Sequence, residues 1–297
     1  MSAGSRQLAA ALQAQQARLV SVAGHLATVG GVDVHDARVA ARRLRSMLAT
    51  FRPLLDADAA KRMRRRLRTV AHGLTLVREA DVRRDLLRRL AQEDPEIAPA
   101  DAARLDTLLS ASLAAARAGV HREIAGPGWV ANLASLADAV ALDALLVRRD
   151  ASQRELLQLA HRPWRRARKL VARDPRDAKE LHRLRLVLKH CRYAFEAVAT
   201  CSPTRAARVL RKLRAAQDHL GEHRDVLQAQ DWVREHAASL GVPLATVIRQ
   251  SLRRRDRALR REAVERADEV LLAYAGWRTA TRGLRQAKGR ARGRASP

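Results

Sequence analysis

VHDARVAARRLRSMLATF, residues 34–51, has a counterpart in LHRLRLVLKHCRYAFEAV, residues 181–198. In the first stretch Val34, Ala37, Ala41, Leu44, Leu48 and Phe51 recur at steps of three and four. In the second, Leu181, Leu184, Leu188, Cys191, Phe195 and Val198 do the same. That period marks an amphipathic helix with a buried seam. One residue after the seam runs a cationic series: His35, Arg38, Arg42 and Arg45, then His182, Arg185, Lys189 and Arg192. Each member of the second set lies 147 residues beyond its counterpart, and Arg43 adds a further cation to the first. One residue is about 100° of helical rotation, so the stripe lies at the shoulder of the core, where long stems pack and charged heads project. Like charges at this spacing repel. A stripe kept twice at one phase points to an anion along it.

The repeat continues. KRMRRRLRTVAHGLTLVREADV, from Lys61 to Val82, aligns at a shift of 146 with ARVLRKLRAAQDHLGEHRDVLQ, from Ala207 to Gln228. The chain reads as a duplicated unit of about 146 residues, a period that suits a paired, two-fold-like domain and not a solenoid. Arg62, Arg65 and Arg66, with Arg208, Arg211 and Lys212, form a second tier of anion-binding candidates. Arg78 and Arg224 each precede an acidic residue and read as structural pairs or caps.

Composition sets the class. A hydrophobic share of 47% in 297 residues is ample for a folded core, which excludes a disordered polyanion-binding tail. Ala, Leu and Arg dominate and favour helix; β-branched alternation is hard to find. A net charge of +27 exceeds what solubility needs and implies a polyanionic partner. Cys191 and Cys201 are too few for a disulfide framework or a thiolate metal site, which fits a reducing cytoplasm. Neither signal peptide nor membrane span is expected.

Helices are expected near 5–28, 34–52, 58–76, 79–93, 100–124, 131–148, 152–172, 177–200, 203–220, 222–239 and 244–274. Breaks fall at Gly30-Gly31, Pro53, Pro95 to Pro99, Gly126-Pro127-Gly128, Pro175, Ser202-Pro203, Gly221 and Gly241-Val242-Pro243. Residues 276–297 read as a basic, disordered tail.

The paired motifs resemble the CHAD family, the conserved-histidine α-helical domain. The residues that carry this are His35-x-x-Arg38-x-x-x-Arg42-Arg43-x-Arg45 and His182-x-x-Arg185-x-x-x-Lys189-x-x-Arg192-Tyr193, with Leu220, Gly221, Arg224 and Asp225. The first half has Thr75 in place of the glycine and Glu79 in place of the aspartate. The resemblance implies an all-α domain over 1–275, with halves near 5–125 and 131–275. These would be two similar helical bundles related by a pseudo-two-fold axis. It also implies a basic groove or pore that binds inorganic polyphosphate, often on polyphosphate granules in the cytoplasm.

Each feature has an alternative. His35 and His182 could tie the helix start to a neighbour; as phosphate contacts, they would strengthen binding as pH falls through about 6.5. Nucleic acid could bind non-specifically through charge. However, Trp129, Trp164, Trp232 and Trp277 do not accompany the basic motifs, whereas single-strand binding commonly uses stacked aromatics. A phosphoryl-transfer enzyme is the remaining rival. There is no GxxxxGK[ST] loop, no HExxH helix and no matched carboxylate: Asp36 aligns with Arg183 and Glu196 with Ala49. The expectation is a non-catalytic module with no cofactor and no metal.

Overall fold

The structure, a computed structural model, describes residues 2–29, 34–73, 75–137, 151–199 and 203–293. Among them every regular element is helical and no strand occurs. The chain divides into two compact units that interleave in sequence: Met1–Leu156 with Glu222–Ala258, and Leu157–Gly221 with Leu259–Pro297. Three helices, Gln153–Val171, Pro203–Glu235 and Val242–Gly293, each contribute to both units.

The first unit holds Ala3–Val29 (α1), Val34–Thr50 (α2), Ala57–Gly73 (α3), Thr75–Glu93 (α4), Pro99–Ala125 (α5) and Pro127–Ala137 (α6). α1 packs on α2, α2 on α3 and α4 on α5, while α6 lies against α1 and α3. The seam of α2 is the core of this unit: Ala37, Ala41, Leu44, Leu48 and Phe51 are at most 1% exposed. On α3 the seam is Ala60, Met63, Leu67 and Val70, also buried. Local chemistry sets the helix starts. Asp56 Oδ1 accepts from Ala59 N–H at 2.8 Å and so caps α3. A reciprocal capping box, Ser152 with Glu155, opens Gln153–Val171 (α7).

In the second unit Ala178–Glu196 (α8) is the second motif helix. It is capped by Asp177, whose side chain accepts from Glu180 N–H at 2.7 Å. Its seam, from Leu181 through Val198, is fully buried. Around it gather His161 and Trp164 of α7, Phe195 of α8, and Tyr274 and Trp277 of Val242–Gly293 (α11). Trp164 stacks on Tyr274 with centroids 3.6 Å apart. His161 Nδ1 lies 3.0 Å from the Tyr274 hydroxyl.

Three expectations need correction. Pro203–Glu235 (α9) runs unbroken through Gly221, where a break was expected. Glycine inside a helix costs about 1 kcal/mol relative to alanine, too little to end a 33-residue helix packed along its length. Secondly, α11 continues through Gly293, where a helix ending near 274 was expected; Arg, Ala, Leu, Gln and Lys there are all good helix formers. Thirdly, α8 ends at Glu196, not near 200. By contrast, the break at Gly241 is real. It adopts φ +80° between Ala237–Leu240 (α10) and α11, a conformation glycine permits, and Arg104 Nη1 donates to the Leu240 carbonyl at 3.2 Å. The expected breaks at Gly30-Gly31 and Ser202 lie outside the described residues, as do residues 138–148 of the helix expected over 131–148.

Candidate functional site

α2 carries the first stripe. Arg38, Arg42, Arg43 and Arg45 are all half-buried, and the Nε atoms of Arg38 and Arg43 are shielded from solvent. The stems are therefore packed, as a shoulder position requires. His35 is in the first turn of α2, and its side chain lies outside the described residues. Asp36, beside it, pairs with Arg18 of α1 at 3.5 Å.

The electrostatics of this stripe centre on Arg45. Burial pushes its guanidinium below the usual arginine value, and repulsion from Arg68, Arg42 and Arg64 adds to the shift. Where α2 packs on α3, four arginines thus share one neighbourhood. The sequence pattern selects Arg42 and Arg45 but not Arg64 and Arg68. The signal was present. Each stripe residue follows a seam residue by one, and Arg64 follows Met63 while Arg68 follows Leu67 in the same way. Of the second-tier choices, Arg62 and Arg65 are exposed, as Arg64 and Arg68 are, and Arg66 is half-buried.

The second stripe on α8 is less uniform. His182 and Arg185 are half-buried, and Arg185 Nε is shielded from solvent. Lys189 is only 9% exposed. Arg192 is held within the unit, its Nε donating to Glu196 Oε1 at 2.9 Å and its Nη1 to Gln217 Oε1 at 3.1 Å. Gln217, buried on α9, also donates to the Leu188 carbonyl at 2.9 Å. Arg192 thereby clasps α8 to α9. Of the second tier here, Arg208 and Arg211 are exposed, and Lys212 pairs with Glu269 of α11 at 2.8 Å. Arg224 pairs with Glu79 at 3.4 Å, a structural link of the kind its sequence context suggested.

Chemically, these groups can bind an oxyanion through charge-assisted, two-pronged hydrogen bonds from arginine. Trp129, Trp164, Trp232 and Trp277 are at most 4% exposed and offer no stacking face to a base. Among the described residues no three His, Cys, Asp or Glu side chains gather as a metal site would require. No described helix is long and apolar enough to cross a membrane.

The fold is similar to that of PptA from Streptomyces chartreusis, with a TM-score of 0.70 at 22% identity, over 91% of this chain and 99% of that one. It is also similar to the CHAD domain from the plant Ricinus communis. There the TM-score is 0.66 at 21% identity, over 92% of this chain and 91% of that one. At such identities the likeness concerns the fold. Comparison with curated proteins gives no match. Residues 6–234 match the CHAD domain model, which spans well over half of the sequence, and on that ground the chain belongs to the CHAD-domain family.

Proposed function

We propose that the protein is a non-catalytic binding module for inorganic polyphosphate, with polyphosphate granules as its cellular location. The observation that carries this reading is the cluster of Arg42, Arg45, Arg64 and Arg68 at the packing of α2 on α3. Four like charges lie near one another here, with Arg45 partly desolvated and repelled by the other three, and an anion would offset that repulsion. A bare phosphate chain meets the need well: it presents one charge per short repeat and no bases to recognise. The stripe on α8, with His182, Arg185 and Lys189, supplies a second set of donors at the same phase relative to its seam. The internal duplication seen in the sequence supports a polymer as ligand, since one long chain can engage both sets.

A competition titration tests this. Labelled long-chain polyphosphate is displaced at physiological salt by unlabelled polyphosphate, duplex DNA and single-stranded DNA, matched in phosphate. The expected result is that either DNA competes only at large excess. Equal competition would move the protein into the class of general polyanion binders, and non-specific nucleic-acid binding would become the better account.

A further inference from the structure

Gly221 is buried inside α9, and the helix runs straight through it in secondary structure. A glycine in such a place calls for a packing reason. The group that faces it is Arg185. A Cβ built on Gly221 would stand 3.6 Å from Arg185 Nη2 and 3.9 Å from Arg185 Nε, and both atoms within 4 Å of that point belong to this one guanidinium. Arg185 Nε is also shielded from solvent. The bare helix surface at Gly221 is thus covered by the flat head of the second residue in the α8 stripe.

We propose that Gly221 is a positioning residue, the seat that sets the plane of the Arg185 guanidinium for contact with phosphate. The inference rests on the polyphosphate reading above. A guanidinium holds two oxygens at once only when its plane is oriented, and a head already held in place loses less freedom on binding. A methyl group at 3.6 Å is an ordinary contact that Arg185 can tolerate. A leucine would take the volume that the guanidinium fills. The first half differs here: the position aligned with Gly221 is Thr75, at the start of α4, with its hydroxyl donating to the Ala71 carbonyl at 2.8 Å. The glycine seat is therefore a property of the α8–α9 pair.

The test uses the full chain and four variants: Gly221→Ala, Gly221→Leu, Arg185→Ala and the double variant Gly221→Leu/Arg185→Ala. Affinity for labelled long-chain polyphosphate is measured for each, and the ligand-free Arg185 Nε–H signal is followed by 15N NMR, identified by its loss in Arg185→Ala. Arg185→Ala should weaken binding on the order of tenfold, the worth of one charge-assisted contact. Gly221→Leu should lose a similar factor, the double variant no more than Arg185→Ala, and Gly221→Ala less than about twofold. The Nε signal should move in Gly221→Ala and further in Gly221→Leu. Wild-type binding by Gly221→Leu beside a weakened Arg185→Ala overturns the seat, as do multiplied losses in the double variant. An Nε signal unmoved by Gly221→Ala also overturns it, and this readout stands even where Gly221→Leu does not fold. Wild-type binding by Arg185→Ala, with the signal still moved by Gly221→Ala, overturns instead the role of this stripe in polyphosphate binding.

Discussion

Asp94, at the end of α4, is held by groups far away in sequence. The Ser251 hydroxyl donates to its Oδ2, and Arg254 lies 3.2 Å from the same oxygen. The Ser251 hydrogen bond is the main reason its carboxyl is held below the usual aspartate value; the Glu96 N–H and the Arg254 charge add to it. An unfolded aspartate titrates near about 3.9. The stabilising contribution is therefore fully present above that pH and is lost as pH falls through the lower, folded value. Ser251→Ala should let the carboxyl drift upward and move acid unfolding to higher pH, read by circular dichroism between pH 2 and 6. An acid transition identical to wild type would contradict this. Cys191 illustrates the opposite direction: burial alone pushes its thiol well above the usual cysteine value, as a seam residue with no exposed surface requires.

At the scale of elements, the aromatic cluster of the second unit organises the inner face of the motif helix. Phe195 of α8 meets Trp164 edge-on at 5.9 Å and Trp277 at 4.8 Å, and Trp164 stacks on Tyr274. Along the chain these rings are spread over residues 164 to 277. Nothing in local spacing says that they meet, because α7, α8 and α11 are brought together only by folding. Trp164→Ala should cost about 3–5 kcal/mol in urea unfolding, the usual toll of deleting a large buried ring. Trp164→Phe should cost clearly less. A loss under about 1 kcal/mol for the alanine variant would show that the cluster is not a core element. On the same helix, the Gln217 clasp ties Arg192 to α9. Arg192 therefore serves the packing of the stripe's own helix, a role that a count of basic residues does not reveal.

For the whole molecule, the net charge of +27 and the two stripes make ionic strength the natural variable. Polyphosphate affinity should fall linearly in a log–log plot against salt, as counterions released from the polymer become less favourable to release. Removing Arg38 and Arg185 together should shallow that slope and weaken long chains by more than about tenfold, whereas short chains that reach one stripe should respond to only one of the two substitutions. Equal losses for short and long chains in each single variant would argue against one polymer engaging both sets.

The sequence by itself determined the helical class, the two seams and the phase of the basic stripes beside them. These depend on a period of 3.6 residues, which is written locally in every turn. The same +1 phase marks Arg64 and Arg68, but within the basic run from 61 to 68 the sequence reading selects Arg62, Arg65 and Arg66 instead. Tertiary structure alone decided what each charged head and each glycine does. Gly221 reads as a break along the chain and proves to be the surface under Arg185. Arg192 and Lys212 read as binders and are engaged by Gln217 with Glu196, and by Glu269. The reason is physical. A residue's conformational preference is set by its own backbone and near neighbours, whereas its partner is set by which helix folding brings against it.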